Sequence, residues 1–378
     1  MSDSKKGVRL VIAGGGTGGH VLPAFAVLGE LRQRGALADV LWIGSSDGHE
    51  RQAAQDADIP YVAIPTGKLR RYLSLQNLTD AGRIPLGVVA ARRALRRARP
   101  QVVLSTGGFV SVPTVVAARG LAPVITHEQT AIVGLANRIN ARFADVLAIS
   151  HAETVEDARR FHRHVALTGN PVRTTLAEGD RARGLEWMGF TQDLPVIYVT
   201  GGARGASPLN HRISSKLTEI LERWQLLHQT GPAAANDDAA NLATQRAALP
   251  DHLQRRYKIV EFIRDELADV YAAADLVIGR AGAGTVAELA LVGRPAILIP
   301  LPGAGGDEQA RNARVLVNAG GAVMLLQEHA TPDRLLEECV AILGTADRRQ
   351  QMSAAAHSVA QPDAAARLAD IVLELAAR

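Results

Sequence analysis

Val8-Arg9-Leu10-Val11-Ile12-Ala13-Gly14-Gly15-Gly16-Thr17-Gly18-Gly19-His20 is the stretch that decides the fold. An apolar run short enough for a buried strand meets a glycine-rich turn, and Val21-Leu22-Pro23 then opens a helix-like run to Gly35. Strand, turn and helix in that order are the first step of a βα unit. Glycines let backbone N–H groups approach an anion closely, and the dipole of the following helix adds favourable potential there. Pro23 is expected in the first turn of that helix, where its missing N–H costs nothing. Tight strand-to-helix packing would use the same glycines, so the weight of the turn comes from its recurrence.

The pattern does recur. Val40–Ile43, Val102–Ser105, Val124–Thr126 and Val146–Ile149 read as further strands at helix-length separations, and the rhythm restarts at Val196–Thr200. Lys258–Val260, Leu276–Ile278, Ala296–Ile299 and Val323–Leu326 continue it. The reading is an α/β chain of two Rossmann-like, doubly wound parallel-sheet domains facing across a cleft. Gly169-Asn170-Pro171-Val172-Arg173 ends the first run, and charge density rises beyond it. The expected division is therefore 7–173 and 174–358, with a helix at about 359–378 that returns to the first domain. Leu368, Ile371, Val372 and Leu375 give that helix an apolar stripe that needs a surface to cover. Gly231–Gln245 has little apolar periodicity and reads as a surface loop or a frayed helix start.

Composition bounds the function. The chain has 378 residues, 47% of them hydrophobic, enough for two cores. A net charge of only +4 does not indicate a general nucleic-acid binder. A single cysteine, Cys339, leaves no internal disulfide and no multi-cysteine metal cluster, and nothing requires an oxidising compartment. Met1–Lys6 is polar, and no run of 18 or more apolar residues occurs, so a cytoplasmic chain that does not span a membrane is expected.

Two more glycine turns follow strands: Ser105-Thr106-Gly107-Gly108-Phe109-Val110-Ser111 and Thr200-Gly201-Gly202-Ala203-Arg204-Gly205-Ala206. Turns at strand C-termini are expected to converge on one cleft, and a ligand carrying a diphosphate fits it. Gly279-Arg280-Ala281-Gly282-Ala283-Gly284-Thr285-Val286-Ala287-Glu288 is another flexible turn before a helix. Glu288 there either complements the helix dipole or accepts both hydroxyls of a ribose. Asp307-Glu308-Gln309 reads as helix capping or as part of the same site. Asp56-Ala57-Asp58, the one Asp-X-Asp, sits before Pro60 and reads as surface charge, so no metal site is assigned.

Gly15–His20, Thr106–Ser111, His127-Glu128-Gln129, Gly169–Arg173 and Ala283–Glu288 occur in the order and spacing of the MurG family, in glycosyltransferase family 28. The chain resembles that family from about Val8 to Ala313. The resemblance implies a GT-B fold and a peripheral enzyme that moves N-acetylglucosamine from UDP-N-acetylglucosamine to undecaprenyl-diphosphate-linked N-acetylmuramyl-pentapeptide. It also implies residue roles. Thr17, Gly18 and Gly19 resemble the donor-contacting loop, and Arg173 a donor-site arginine. Ile263 is similar to the residue whose backbone reads uracil. Ala283, Gly284, Thr285, Val286, Ala287 and Glu288 resemble the ribose and phosphate segment, with Glu288 on the ribose, and Gln309 the contact to the sugar hydroxyls.

Four positions depart from the family's commonest pattern. Ala203 and Arg204 stand where serine and glutamine are usual, Thr130 where asparagine often follows His-Glu-Gln, and Phe109 where tyrosine is frequent. A serine contact to the donor is lost, while Arg204 could neutralise phosphate. His20 is nominated as general base, since imidazole has an ordinary pKa of about 6.5. Glu128 is the second candidate, and His20 could instead donate to phosphate. No cofactor is required, and magnesium would enter only through the substrates' phosphates.

Lys68 to Arg99 holds nine basic residues and one acidic one, Asp80, interleaved with Leu69, Tyr72, Leu73, Leu75, Leu78, Ile84, Leu86, Val88 and Val89. That pattern suits an anionic membrane surface on the cytoplasmic side; alternatively, Arg92, Arg93, Arg96 and Arg97 are the solvated face of a helix. Cell-wall synthesis proteins are candidate partners. Two other functions share the expected fold: a glycosyltransferase acting on another lipid or a natural product, and a UDP-N-acetylglucosamine 2-epimerase, which would need no membrane face.

Overall fold

The computed structural model of the protein describes residues 7–16, 18–67, 75–233, 237–303 and 307–378, with His49 and residues 75–82 described by their backbone alone. Thr17 and the stretch 68–74, both singled out by the sequence, lie outside the described residues. The chain divides into two compact units, one running to Arg173 and taking back Pro362–Arg378, the other spanning Thr174–Gln361.

The first unit is built on β1 (Val8–Gly14), β2 (Leu37–Gly44), β3 (Tyr61–Ala63), β4 (Val102–Gly107), β5 (Val124–Glu128), β6 (Val146–Ile149) and β7 (Val165–Leu167). They form a parallel sheet in the order β3-β2-β1-β4-β5-β6-β7. Parallel strands need crossovers, and these put helices on both faces, so β1, β4 and β5 are buried nearly end to end. The strand order reverses between β1 and β4. The crevice at such a reversal, beyond the strand C-termini, is where doubly wound sheets bind ligands.

The second unit repeats the plan with β8 (Val196–Thr200), β9 (Gln225–Gln229), β10 (Tyr257–Val260), β11 (Leu276–Gly279), β12 (Ala296–Leu298) and β13 (Ala322–Met324). Its order is β10-β9-β8-β11-β12-β13, all parallel, with the reversal between β8 and β11. Each reversal is flanked by two glycine turns, Gly14 with Gly107 in the first unit and Gly201 with Gly279 in the second.

Some elements differ from the sequence reading. β3 and β7 are three-residue edge strands, too short to leave a pattern. β9, Gln225-Leu226-Leu227-His228-Gln229, is buried throughout although three of its five side chains are polar. Each of those three finds partners: Gln225 Oε1 accepts from Thr191 N at 2.7 Å, Tyr198 donates to Gln229 Oε1 at 2.7 Å, and His228 lies 3.0 Å from both Tyr257 Oη and Asn210 Oδ1. Satisfied polar groups can be buried without an apolar signature. Gly231–Gln245, read as a surface loop or a frayed helix start, holds the start of a helix, Asp238–Ala247, anchored by buried Leu242. Pro23 lies inside helix α1 (Gly18–Gln33), which begins earlier than expected, at Gly18. Its missing N–H leaves the Gly19 carbonyl without the usual intrahelical partner.

The helix Ala364–Ala376 packs on α1. Leu368, Val372 and Leu375 join Val27, Leu28 and Leu31 in one buried cluster with the β1 side chains Val8, Leu10 and Ile12. Arg34 holds Asp370 at 2.5 Å at the edge of this contact, but an exposed ion pair adds little. Apolar burial carries the attachment, at roughly 2 kcal/mol for each fully buried aliphatic side chain. Leu368→Ala is expected to lower stability by about 3 kcal/mol, read as a reduced urea midpoint; a loss below about 1 kcal/mol would show that the helix is not part of this core.

Candidate active site

In the first unit the turns after β1 and β4 touch. A side chain on Gly108 would place its Cβ 2.5 Å from Gly15 O, and Gly108 has φ +77°, so both space and backbone demand glycine there. Val110 and Gly16 approach each other from the same two turns. His20, in the first turn of α1, is half-buried, and its carbonyl accepts from Thr106 Oγ1 at 2.5 Å. Its Nδ1 lies 3.0 Å from Thr106 O and 3.1 Å from Gln129 Oε1. Both neighbours are acceptors, so in the neutral ring the proton sits on Nδ1 and the lone pair on Nε2. The Gln129 amide is oriented in turn, because its Nε2 donates to Thr106 O at 2.6 Å and faces His127 Nδ1 at 3.3 Å. His127 Nε2 completes the series by donating to Gly169 O at 3.0 Å. Burial pushes the His127 imidazole down to about 4, so it is neutral at neutral pH and serves as a fixed donor and acceptor.

Glu128 is 3% exposed and both carboxylate oxygens are engaged. Oε1 accepts from Thr130 N at 3.1 Å and Thr130 Oγ1 at 2.8 Å, and Oε2 from Gly134 N at 2.8 Å and Asn137 Nδ2 at 2.9 Å. A carboxylate so satisfied ties down the loop Thr130–Gly134, and Thr130 is spent on the same tie. Gly18 and Gly19 open α1. Arg173 is exposed at the end of this unit.

In the second unit the turn after β8 exposes Ala203 and Arg204 at its tip, ahead of the helix Ser207–Ser214. After β11, Ala283 starts the helix Ala283–Val292, with Gly282 as an extended N-cap. Gly284, Thr285 and Ala287 are half-buried and Val286 is buried. Glu288 Oε2 accepts from Tyr271 Oη at 2.9 Å, which orients the carboxylate. Gln309 Oε1 accepts from Leu301 N at 2.9 Å and from Ala281 N at 3.3 Å, leaving its amide nitrogen as the group that can reach a ligand. Ile263 is buried in the turn after β10, beside exposed Phe262. Asp307, expected to cap the next helix, has no capping side-chain bond and φ +58°.

The sequence reading missed several residues that organise these turns. Glu50 accepts from Gly16 N at 2.9 Å. Asn137 bridges Glu128 and the His127 carbonyl, donating to the latter at 3.1 Å. Arg280, 8% exposed behind the turn after β11, donates to Ile299 O at 3.0 Å, Pro300 O at 3.2 Å and Gln327 Oε1 at 2.7 Å. Its charge is thus met by neutral oxygens. Arg280 sits in a quoted motif, but Glu50 and Asn137 act through contacts distant in sequence and leave no local mark. Among the described residues no group of three or more His, Cys, Asp or Glu is placed to hold a metal.

The basic stretch is partly described. The helix α3 (Leu75–Ala98) exposes Leu86 at 63% and Val89 at 50%, next to exposed Arg83, Arg93, Arg96 and Arg97. Arg92 differs from the other arginines, since its Nη1 donates to Ala117 O at 2.8 Å and Arg119 O at 3.1 Å. Near the start of this segment, Gly67, Ile84, Phe109, Val116 and Phe143 border an apolar cavity of about 330 Å³ beside the turn after β4. No described helix is long and apolar enough to cross a membrane.

Comparison with known proteins follows the same two units. The glycosyltransferase family 28 N-terminal domain matches residues 10–149 and the glycosyltransferase family 28 C-terminal domain residues 196–368. The chain is 38% identical over 330 residues to the UDP-N-acetylglucosamine--N-acetylmuramyl-(pentapeptide) pyrophosphoryl-undecaprenol N-acetylglucosamine transferase of Lachnospira eligens, covering 87% of this chain and 89% of that protein. Among solved structures it is similar to Acinetobacter baumannii MurG, with a TM-score of 0.73 and 30% identity over 97% of this chain and 99% of that one. A UDP-GlcNAc 2-epimerase from Neisseria meningitidis gives a TM-score of 0.63 over 97% of this chain and 99% of that one, at 14% identity. That likeness is of fold alone, and the epimerase alternative raised by the sequence is not favoured.

Each unit buries a histidine whose pKa is depressed, His127 to about 4 and His228 to about 3, burial being the main cause in both. The unfolded chain therefore binds more protons below about pH 6.5, and stability present above that pH is lost as pH falls toward the folded values. At pH 5 the loss is expected to be on the order of 2 kcal/mol per histidine, seen as a lower urea midpoint. His228→Gln should flatten the fall between pH 7.5 and 5; an unchanged slope would contradict the assignment.

Proposed function

The chain belongs to the MurG group of glycosyltransferase family 28, the UDP-N-acetylglucosamine--N-acetylmuramyl-(pentapeptide) pyrophosphoryl-undecaprenol N-acetylglucosamine transferases, and on that premise we infer how its two units divide the work. The enzyme transfers N-acetylglucosamine from UDP-N-acetylglucosamine to the 4-hydroxyl of the lipid-linked muramyl-pentapeptide, converting lipid I to lipid II in peptidoglycan synthesis, with inversion at the anomeric carbon. In our reading the second unit holds the nucleotide sugar. Glu288 takes the ribose hydroxyls, the Ile263 backbone reads uracil, Thr285 and the N–H groups opening its helix face the diphosphate, and Gln309 contacts the sugar. Arg204 and Arg173 add positive charge for the phosphates. The first unit presents the acceptor and the base.

The observation that carries this reading is the fixed tautomer of His20. With Nδ1–H held by Thr106 O and Gln129 Oε1, Nε2 is the nitrogen able to take a proton. The acceptor hydroxyl attacks the anomeric carbon, the C–O bond to UDP breaks, and the hydroxyl proton passes to Nε2. Charge grows on the departing diphosphate, where preorganised N–H groups and the Arg280 charge behind them stabilise it without reorganising. Glu128, with four donors on its oxygens, is a loop anchor in this scheme. The scheme requires no cofactor, and magnesium would enter only through the substrates' phosphates. Exposed Leu86 and Val89 among arginines support docking of the first unit on an anionic membrane, on the cytoplasmic face where UDP-sugars are found, with the apolar cavity near the lipid.

Incubation with labelled UDP-N-acetylglucosamine and a short-chain lipid-linked muramyl-peptide should give UDP and a lipid-linked disaccharide; an epimerised free nucleotide sugar without disaccharide would overturn the reading. His20→Ala should lower kcat by about a hundredfold at saturating substrates, and near-normal turnover would remove His20 as base. Replacing Leu86 and Val89 together by Glu should abolish flotation with anionic vesicles while leaving turnover of a soluble acceptor analogue unchanged. Undiminished flotation would place the docking surface elsewhere.

A further inference from the structure

We propose that Glu50 is a positioning residue for the transfer, a buried carboxylate that locks the first glycine turn and thereby His20. The proposal rests on the reading of His20 given above. Glu50 lies in the first turn of α2 (His49–Asp56) and is fully buried. Its Oε2 accepts from Gly16 N at 2.9 Å, and its Oε1 from Ser45 N at 3.0 Å and Ser45 Oγ at 2.5 Å. Among the described residues no cation pairs with it. A charge buried without a counterion is costly unless donors satisfy it, and here two of its three donors are backbone or side chain of the turn after β2, the third the turn after β1. The carboxylate therefore ties two strand ends together.

The surrounding glycines show that the seat is built for this group. A Cβ on Gly48 would lie 2.1 Å from both Glu50 oxygens, one on Gly15 would lie 2.2 Å from Cδ, and one on Gly44 would lie 3.0 Å from Cγ. Gly48 has φ −83° and ψ 154°, a conformation any residue adopts, so space and not backbone is what excludes a side chain there. The Gly16 N–H, at the heart of a turn that reads as an anion cradle, is already given to the protein's own anion. What the lock holds is the entry to α1, where His20 must meet Thr106 and Gln129.

Gly48→Ala provides a way to unseat the carboxylate without removing it. Glu50→Ala and Gly48→Ala are each expected to lower kcat at least about tenfold with the KM for UDP-N-acetylglucosamine changed less than about twofold. The double variant should be no worse than about threefold below Glu50→Ala, because both changes break one interaction, where independent effects would multiply to about a hundredfold. Glu50→Gln, which keeps an acceptor for Gly16 but turns an N–H toward Ser45, should fall between. Leu368→Ala serves as a control of lowered stability that leaves kcat intact, with all assays run well below the unfolding midpoints. Amide exchange at Gly16 should accelerate at least about tenfold in Glu50→Ala and Gly48→Ala. If Glu50→Ala does not fold, Gly48→Ala and Glu50→Gln carry the test. Retention of kcat within about twofold in the folded variants, multiplicative losses, or an unchanged Gly16 exchange rate would each overturn the lock. Wild-type enzyme that forms no disaccharide would sink the functional reading instead, leaving the lock to be judged by Gly16 exchange.

Discussion

A parallel sheet covered on both faces has few places to meet a ligand, and the reversal of strand order is the one that topology forces. Adjacent crossovers leave that point in opposite directions, which opens a crevice at the C-terminal ends of β1 and β4, and of β8 and β11. The chain must turn sharply there without filling the crevice. Glycine at positions 14, 107, 201 and 279 meets that demand, and the helices that follow bring their first N–H groups to the same edge. Each unit thus gathers its chemistry at one end of its sheet, whatever reaction is performed.

What differs between the units is how polar groups are held at that edge. In the first, a buried hydrogen-bonded series runs from Gly169 through His127, Gln129 and Thr106 to His20, with Glu128 and Glu50 anchoring the loops on either side. Almost none of it involves opposite charges. Its precision comes from direction: the acceptors around His20 Nδ1 are themselves held in place, so the imidazole is oriented by geometry and not by attraction to a carboxylate. In the second unit the polar groups are fewer, and the turn after β11 is backed by an arginine whose partners are neutral. That arrangement suits an anionic ligand, just as the first suits a proton in transit.

The fold class was legible because buried parallel strands are short apolar runs and their turns need glycine, both local properties. β9 escaped notice because Gln225, His228 and Gln229 look like loop residues until their partners are known. The three-residue strands β3 and β7 were invisible for lack of length. Motif residues such as His20, Glu128 and Glu288 could be named from the sequence, but the occupancy of the Glu128 oxygens depends on Gly134 and Asn137 at the start of the next helix. Glu50 stood in a polar stretch that reads as an ordinary helix start. Its burial arises from Gly15 after β1 together with Gly44 and Gly48 at the two ends of the turn after β2, a tertiary fact with no local signature.

The return of Pro362–Arg378 to the first unit has a consequence for how the chain is made. The second unit is continuous in sequence and has all its residues once Gln361 has been synthesised. The first begins earlier but lacks the side chains of Leu368, Val372 and Leu375 until the second unit has been synthesised in full. Its α1 surface stays uncovered while the rest of the polypeptide emerges, so the earlier half of the message specifies the later half of the folding. A ribosome that stops between Gln361 and Leu368 would release a protein whose second unit is whole and whose first unit is open to proteases.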